Sequence, residues 1–441
     1  MKERIERFFQ LGEKGSDIRT EVTAGIATFL TMAYIIVVNP GILSDAGMPF
    51  AGVLFATVMT AALSSILMGL LANLPFAMAP GMGINAFFSY TLVIGMGVEW
   101  QTALGAVFVS GVIFVILSLF GVRERIVAAI PLTVRYGVAA GIGLFLALIG
   151  LTSVDFVVGD EATVVAFGGL TPEVALFAVG LVLTAWLIIR RFLGALIIGI
   201  VATSVLALVV SLFMEMADWP GFAEIPEAVF EWPSFEVFLA LDIPAALSLG
   251  MILPIFTFLF TDIFDSLSTF VGVSEVGGFI DPKTNQPRNV GRALLADGIS
   301  TTLSGLFGTS SGTTYIESAA GVEEGGRTGL TAVVAGLLFL PFMFFSPLLA
   351  LVPAAATAPV LVLVGLFMLK PLERVAWDDF ETALPAFLAL ILIPLTHNIT
   401  QGIVWAFLAY TAIKLLRGKW RELTVTLVII DILAIIALLA H

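Results

Sequence analysis

The chain has 441 residues, 59% of them hydrophobic and only 12% charged, with mean hydropathy +1.08 and formal net charge -13. Soluble domains are about 45–50% apolar and about 25% charged, so this composition excludes an ordinary water-soluble domain and reads as an integral protein of the cell membrane, bathed in the lipid bilayer. With no cysteine and only two histidines, His397 and His441, disulfides, thiol chemistry and thiolate or paired-histidine metal sites are excluded.

The opening residues, MKERIERFFQLGEKGSDIRTE, mix both signs of charge before the first apolar run and do not read as a cleavable signal peptide. A spanning helix needs roughly 20 apolar residues. In chain order the candidate spans are 22–42, 51–74, 76–97, 102–121, 127–150, 171–189, 193–213, 247–273, 291–308, 309–321, 328–352, 357–370, 380–396 and 400–416. A final apolar run, 423–440, either spans as well or lies along the inner interface.

Cytoplasmic loops are enriched in Lys and Arg. With the N-terminus in the cytoplasm, the inner loops hold Arg123, Arg125, Arg190, Arg191, Lys283, Arg288, Arg292, Arg327, Lys370, Arg374 and the stretch KLLRGKWR. The outer loops NPGILSDAGMPF, GVEW, TSVDFVVGDEAT and 214–236 contain no base, and the last of these has six carboxylates. The inner turn near Asn73 has no base and tests nothing. Arg135 is expected near the inner end of its span, where a long side chain can snorkel.

Two spans are interrupted. The third, NLPFAMAPGMGINAFFSY, carries Pro75, Pro80, Gly81 and Gly83; the tenth, FGTSSGTTYIESAAG, is rich in Gly, Ser and Thr. Irregular backbone at membrane depth persists only where protein or a watery cavity satisfies it. The two fall at matching places in two seven-span halves, and seven is odd, so the second half is inverted. Paired broken segments of this kind point to a transporter's binding site.

Intramembrane acids are the other signal, since each costs on the order of 2.5–3.5 kcal/mol at the bilayer centre. FLFTDIFDSLSTF (258–270) holds Asp262 and Asp265 three apart, facing similar quarters of a helix. Either acid binds a ligand, or Asp262 pairs with a base or caps a backbone group. Glu317 follows the break in the tenth span. Asn85, in GMGINAFF, occupies the matching place in the third and offers donors and acceptors. Phe87 and Phe88 are rings able to stack on a planar ligand, or ordinary packing rings. Asp297, in ALLADGIST, is a structural acid or a proton relay. GMGINA lacks the strand–helix context and the lysine of a nucleotide loop, and His397 reads as an outer-turn residue.

At these residues the chain resembles a known family. TEVTAGIATFLTMAYIIVVNP, APGMGINAFFSY, FTDIFDSLST, ALLADGISTTLSGLFGTSSGTTYIESAAGVEEGGRTGLTAV and ATAPVLVLVG look like the hypoxanthine/guanine/adenine permeases. That purine branch of the nucleobase–cation symporter group is related to the uracil and xanthine permeases. The resemblance implies an all-α membrane fold of fourteen segments in two inverted repeats, with short antiparallel strands in the third and tenth. It implies a cytoplasmic N-terminus (1–21), a core domain (22–121 and 247–352) and a gate domain (122–213 and 353–416). An acidic extracellular loop (214–246) and a C-terminal basic loop with its apolar tail (417–441) complete the division.

It also implies a substrate site at Asn85, Phe87, Asp262, Asp265, Glu317 and Ser318. Asp262, Asp265, Glu317 and Asp297 become the candidates for proton coupling. The implied partners are a purine nucleobase, a proton in preference to sodium, and a second copy in a homodimer; no metal, cofactor or nucleic acid is expected. The implied activity is secondary uptake of adenine, guanine or hypoxanthine by elevator-like alternating access, without enzymatic chemistry. Gly312 departs from the pattern, which has a β-branched residue there. Competing readings are a carrier of xanthine, uracil or an inorganic anion, which the acids would repel, and an intramembrane aspartyl enzyme. The latter fits poorly, because Asp262 and Asp265 share one helix and neither a YD nor a GxGD motif occurs.

Overall fold

The computed structural model describes residues 2–120, 131–215, 228–281, 286–424 and, beyond these, 427–428, 431–432 and 434–435. Arg123, Arg125, Lys283, residues 216–227 of the acidic loop and most of the tail 423–440 lie outside the described residues. Nine helices among the described residues are long and apolar enough to cross a membrane, and three shorter apolar helices accompany them.

In chain order the first half runs α1 (Lys2–Phe9), α2 (Ile18–Met32), α3 (Ile35–Asp45), α4 (Phe50–Ala72), β1 (Met78–Pro80), α5 (Met82–Ala86), a π-helical stretch (Phe87–Gly95), α6 (Trp100–Leu119), α7 (Leu132–Thr152), β2 (Val157–Asp160), β3 (Val164–Phe167), α8 (Pro172–Ile189) and α9 (Ala195–Glu215). The second half runs α10 (Ile243–Ala246), α11 (Ile252–Gly277), β4 (Ile280–Asp281), β5 (Gln286–Pro287), α12 (Val290–Phe307), β6 (Gly312–Thr314), α13 (Ser318–Glu323), α14 (Gly329–Phe339), α15 (Ser346–Leu349), α16 (Ala354–Phe367), α17 (Phe380–Thr396) and α18 (Ile399–Leu416).

Local chemistry sets several of these boundaries. Asp17 accepts from the Thr20 amide at 2.8 Å and starts α2, while Thr171, followed by Pro172, caps α8. Other features escaped the sequence reading. The first span is two helices joined at Ala33–Tyr34, and the loop after α7 folds into the β2–β3 hairpin. The span expected over 328–352 holds an α-helix only through Phe339, then a 3₁₀ turn and the short α15.

Packing falls into two groups. Helices α2, α4, α6, α11, α12 and α14 pack on one another, and α7, α8, α9, α16, α17 and α18 form the second set. Each group draws on both halves of the chain, as α4 against α14 and α7 against α17 show. Small residues allow this closeness, as in membrane bundles generally. At Gly69 and Gly329 the two backbones approach so nearly that a side chain on either would collide with the other.

One end of the first group is stitched by buried polar groups. The Glu21 carboxylate, wholly buried, accepts from the Arg327 amide at 2.9 Å and the Thr331 hydroxyl at 2.6 Å. Asn73 ends α4 at φ 51°, donates to the Phe9 carbonyl at 3.0 Å, and accepts from the Gly329 amide at 2.8 Å. Lys14 donates to the Asn73 carbonyl at 3.1 Å, bringing to that turn the base its own sequence lacks.

Candidate functional site

The interrupted third and tenth segments cross as an antiparallel strand pair, with Met78 opposite Thr314, Ala79 opposite Thr313 and Pro80 opposite Gly312. Bonds from the Gly81 amide to the Ser311 carbonyl, 2.9 Å, and from the Tyr315 amide to the Ala77 carbonyl, 3.0 Å, extend the ladder at both ends. Pro80 has no N–H to give to a ladder, and its carbonyl instead accepts from the Tyr315 hydroxyl at 2.5 Å. Side chains complete the backbone satisfaction that a membrane interior demands. The Ala77 amide donates to Ser318 Oγ at 3.0 Å, and the Met78 amide to Ser65 Oγ at 2.8 Å.

Gly312 has a steric reason. A Cβ there would press into the hydroxyls of Ser300 and Ser304 and the methyl of Thr60. The β-branched residue expected from the resemblance has no room against these neighbours.

Beside the crossing, a cavity of about 1400 Å³ opens between the two packing groups. Asp265, from α11, and Glu317, from the turn before α13, both border it. Tyr34 donates to Glu317 Oε1 at 2.7 Å, and Thr313 donates to Asp265 Oδ2 at 3.3 Å. Asp265, Glu317, Tyr34 and Tyr315 lie within electrostatic reach of one another. Arg135 reaches the same cavity from α7 and holds its guanidinium 4.9 Å from the Phe264 ring centre, so a cation–π contact joins the two groups. At the rim stand Arg191, Lys370 and Arg374, the last 3.6 Å from Glu275 in an exposed ion pair.

The remaining sequence candidates lie away from this cavity's lining. Asn85 is fully buried, its Oδ1 accepting from Ser310 and its Nδ2 facing Met82 Sδ at 3.9 Å. Phe87 packs edge-on against Phe258 at 4.9 Å, with Phe88 next to it at 6.5 Å. Ser318 spends its oxygen on the Ala77 amide. Asp262 is fully buried behind Asp265 and accepts from Thr301 at 2.5 Å, and Asp297 is fully buried on α12. His397 ends α17 with φ 49° and meets Phe145 edge-on at 5.6 Å. Sequence reasoning missed Tyr34, Thr313 and Ser310, whose partners are 283, 48 and 225 positions away.

This arrangement, a crossed strand pair at the meeting of two helical groups with acids at one cavity, defines a membrane transporter. The likeness to solved structures agrees on the fold. The transmembrane domain of a cyanobacterium bicarbonate transporter, BicA, superposes with TM-score 0.66 at 17% identity, covering 87% of this chain and 97% of that one.

The chain belongs to the permease family whose model, Xan_ur_permease, matches residues 19–405. It is 42% identical over 427 residues to the adenine permease AdeQ of Escherichia coli (strain K12), covering 97% of this chain and 94% of that protein. It is 40% identical over 435 residues to the guanine/hypoxanthine permease PbuO of Bacillus subtilis (strain 168), covering 98% and 99%. The protein is therefore a multi-pass membrane permease, not an enzyme.

Proposed function

We propose that the chain carries a neutral purine nucleobase, adenine, guanine or hypoxanthine, into the cell together with a proton. The supporting observation is that Asp265 and Glu317 share one cavity beside the strand crossing, in a chain similar to permeases named for those bases. A purine edge sets N–H donors beside N and O acceptors. Carboxylates take the donors, and the hydroxyl of Ser268, which also lines the cavity, serves the acceptors.

The two packing groups supply the moving parts. In this reading the first group is the core, 22–121 with 247–352, and the second is the gate, 122–213 with 353–416. The long spans, the shorter apolar helices, α12 and the β6–α13 segment together make up the fourteen. Bases of the expected inner loops, Arg191, Lys370 and Arg374, ring the cavity rim, which supports a cytoplasmic N-terminus and an inward-facing cavity. A proton carried on Asp265 or Glu317 removes charge that is costly to enclose, after which the core slides against the gate by elevator-like alternating access. Two copies assemble as a homodimer, which cross-linking in native membranes would show.

Uptake of labelled adenine, guanine and hypoxanthine, in competition at two pH values, tests the reading. Collapsing the pH gradient should abolish accumulation, whereas sodium dependence without pH dependence rules out the proton. Unchanged purine affinity in both Asp265→Ala and Glu317→Ala refutes the site. The fold is shared with a bicarbonate carrier, but carboxylates at the cavity repel an anion, and bicarbonate should not compete.

A further inference from the structure

Behind the cavity lies a second acidic locus that base recognition leaves unused. Asp262 on α11 and Asp297 on α12 are both fully buried and within electrostatic reach of each other and of Asp265. Asp262 Oδ2 takes the Thr301 hydroxyl, but Asp262 Oδ1 and both Asp297 oxygens have no hydrogen-bond partner. The Thr314 hydroxyl, itself buried and unpartnered, lies beside Asp297, as does that of Ser266, and neither closes a hydrogen bond of good geometry to it.

Among the described residues no base forms an ion pair with either carboxylate. Helices α4 and α6, which pack on α12, contain no ionisable residue, and β6 contains none. The described bases nearest Asp297 in sequence are Arg288, just ahead of α12, and Arg292 in its first turn, and both are exposed. Two buried carboxylates cannot both keep their charge without a counter-ion: one must take up a proton or a cation. The side-chain polar groups beside them, on Thr301, Thr314 and Ser266, are all oxygens, the donor type that suits hard cations. A divalent ion fits less well: Mg²⁺ keeps several waters, and Ca²⁺ takes about 6–8 oxygens, more than these carboxylates and hydroxyls supply.

We propose that Asp262 and Asp297, with the hydroxyls of Thr314 and Ser266, hold one sodium-sized monovalent cation at a site separate from the base cavity. The cation offsets one of the two charges, while Thr301 already donates to the other carboxylate. It ties α11, α12 and β6 together immediately behind the strand crossing. Such an ion is compatible with proton or sodium coupling, so the inference goes beyond the transport reading.

The test uses the purified full-length protein, with melting temperature followed in sodium, potassium, calcium or choline chloride at constant ionic strength and at two pH values. Binding to the folded state alone gives a saturable rise with concentration. Sodium should raise the wild-type midpoint by a few degrees over choline. Asp297→Asn should lose that rise while melting in choline at or above the wild type, because the amide carries no charge to bury. A purely structural acid would instead leave the variant less stable under every condition. Thr314→Val removes an unpartnered hydroxyl and should shift the sodium midpoint several-fold, which keeps the test decisive if Asp297→Asn fails to fold. Glu317→Gln should lose purine affinity yet keep the sodium response, separating this site from the cavity. The proposal is overturned by a wild type indifferent to sodium, by variants that respond as the wild type does, by stabilisation with calcium alone, or by a pH response without a sodium one.

Discussion

The third and tenth segments have the same shape and opposite chemistry. Each runs from an extended strand into a short helix, and the strands pair with each other across the molecule. In the third, the polar residue after the strand is Asn85, sealed against Ser310; in the tenth it is Glu317, open to the cavity and held by Tyr34. The asymmetry extends further: Asp262, Asp265, Asp297 and Glu317 all belong to the second half, and α4 and α6 of the first half carry no acid. The first half supplies the uncharged strand of the crossing, and the second half supplies the acids nearest it. That division limits the number of buried carboxylates the membrane interior must accommodate, each of which is expensive.

The sharpest way to break the comparison is to remove the charged side. Asp265→Ala or Glu317→Ala should weaken purine binding about 10- to 150-fold, the equivalent of a charge-assisted hydrogen bond of about 1.5–3 kcal/mol. Equilibrium binding to purified protein would show it, with an unaltered gel-filtration profile establishing that the fold persists. Gly312→Val attacks the crossing that both sides share. Forcing a branched side chain against Ser300, Ser304 and Thr60 should destabilise by about 1–3 kcal/mol, seen as a lower melting temperature.

Asn85→Ala tests the sealed side. It leaves the buried Ser310 hydroxyl without its partner, at about 1–3 kcal/mol, so stability should fall while purine affinity in the surviving folded protein stays close to wild type. A loss of affinity as large as that of Glu317→Ala would erase the proposed difference between the two segments. The smallest effect belongs to Tyr34→Phe. Deleting one hydrogen bond to Glu317, about 0.5–1.5 kcal/mol, should cost about 2- to 10-fold in affinity, measured in the same binding assay.

Much of this was legible in advance because membrane interiors punish exceptions. Pro75, Pro80 and Gly81 interrupt an apolar run, and Asp265 and Glu317 stand where carboxylates are rare, so crossing and cavity acids both announce themselves. Tyr34 does not: within TMAYIIVV it looks like one more large apolar residue, and its value lies in a partner nearly three hundred positions away. Arg135 was readable as a snorkelling base, but its turn toward Phe264 depends on where α7 meets α11. Glu21 looked like an ordinary charge ahead of the first span, and only the fold shows it buried against the turn before α14. Periodicity and composition describe a segment and its solvent. Distant pairings come from the packing of the whole.

The polar stitching around Asn73 changes what the residues ahead of the first span are for. Phe9 and Lys14 are fastened to the end of α4 and Glu21 to the turn before α14, so this leader acts as a keel for the block that carries the cavity acids. Trimming the protein to Ile18 would leave the membrane portion intact in outline, yet remove a brace from beneath the block that bears Asp265 and Glu317.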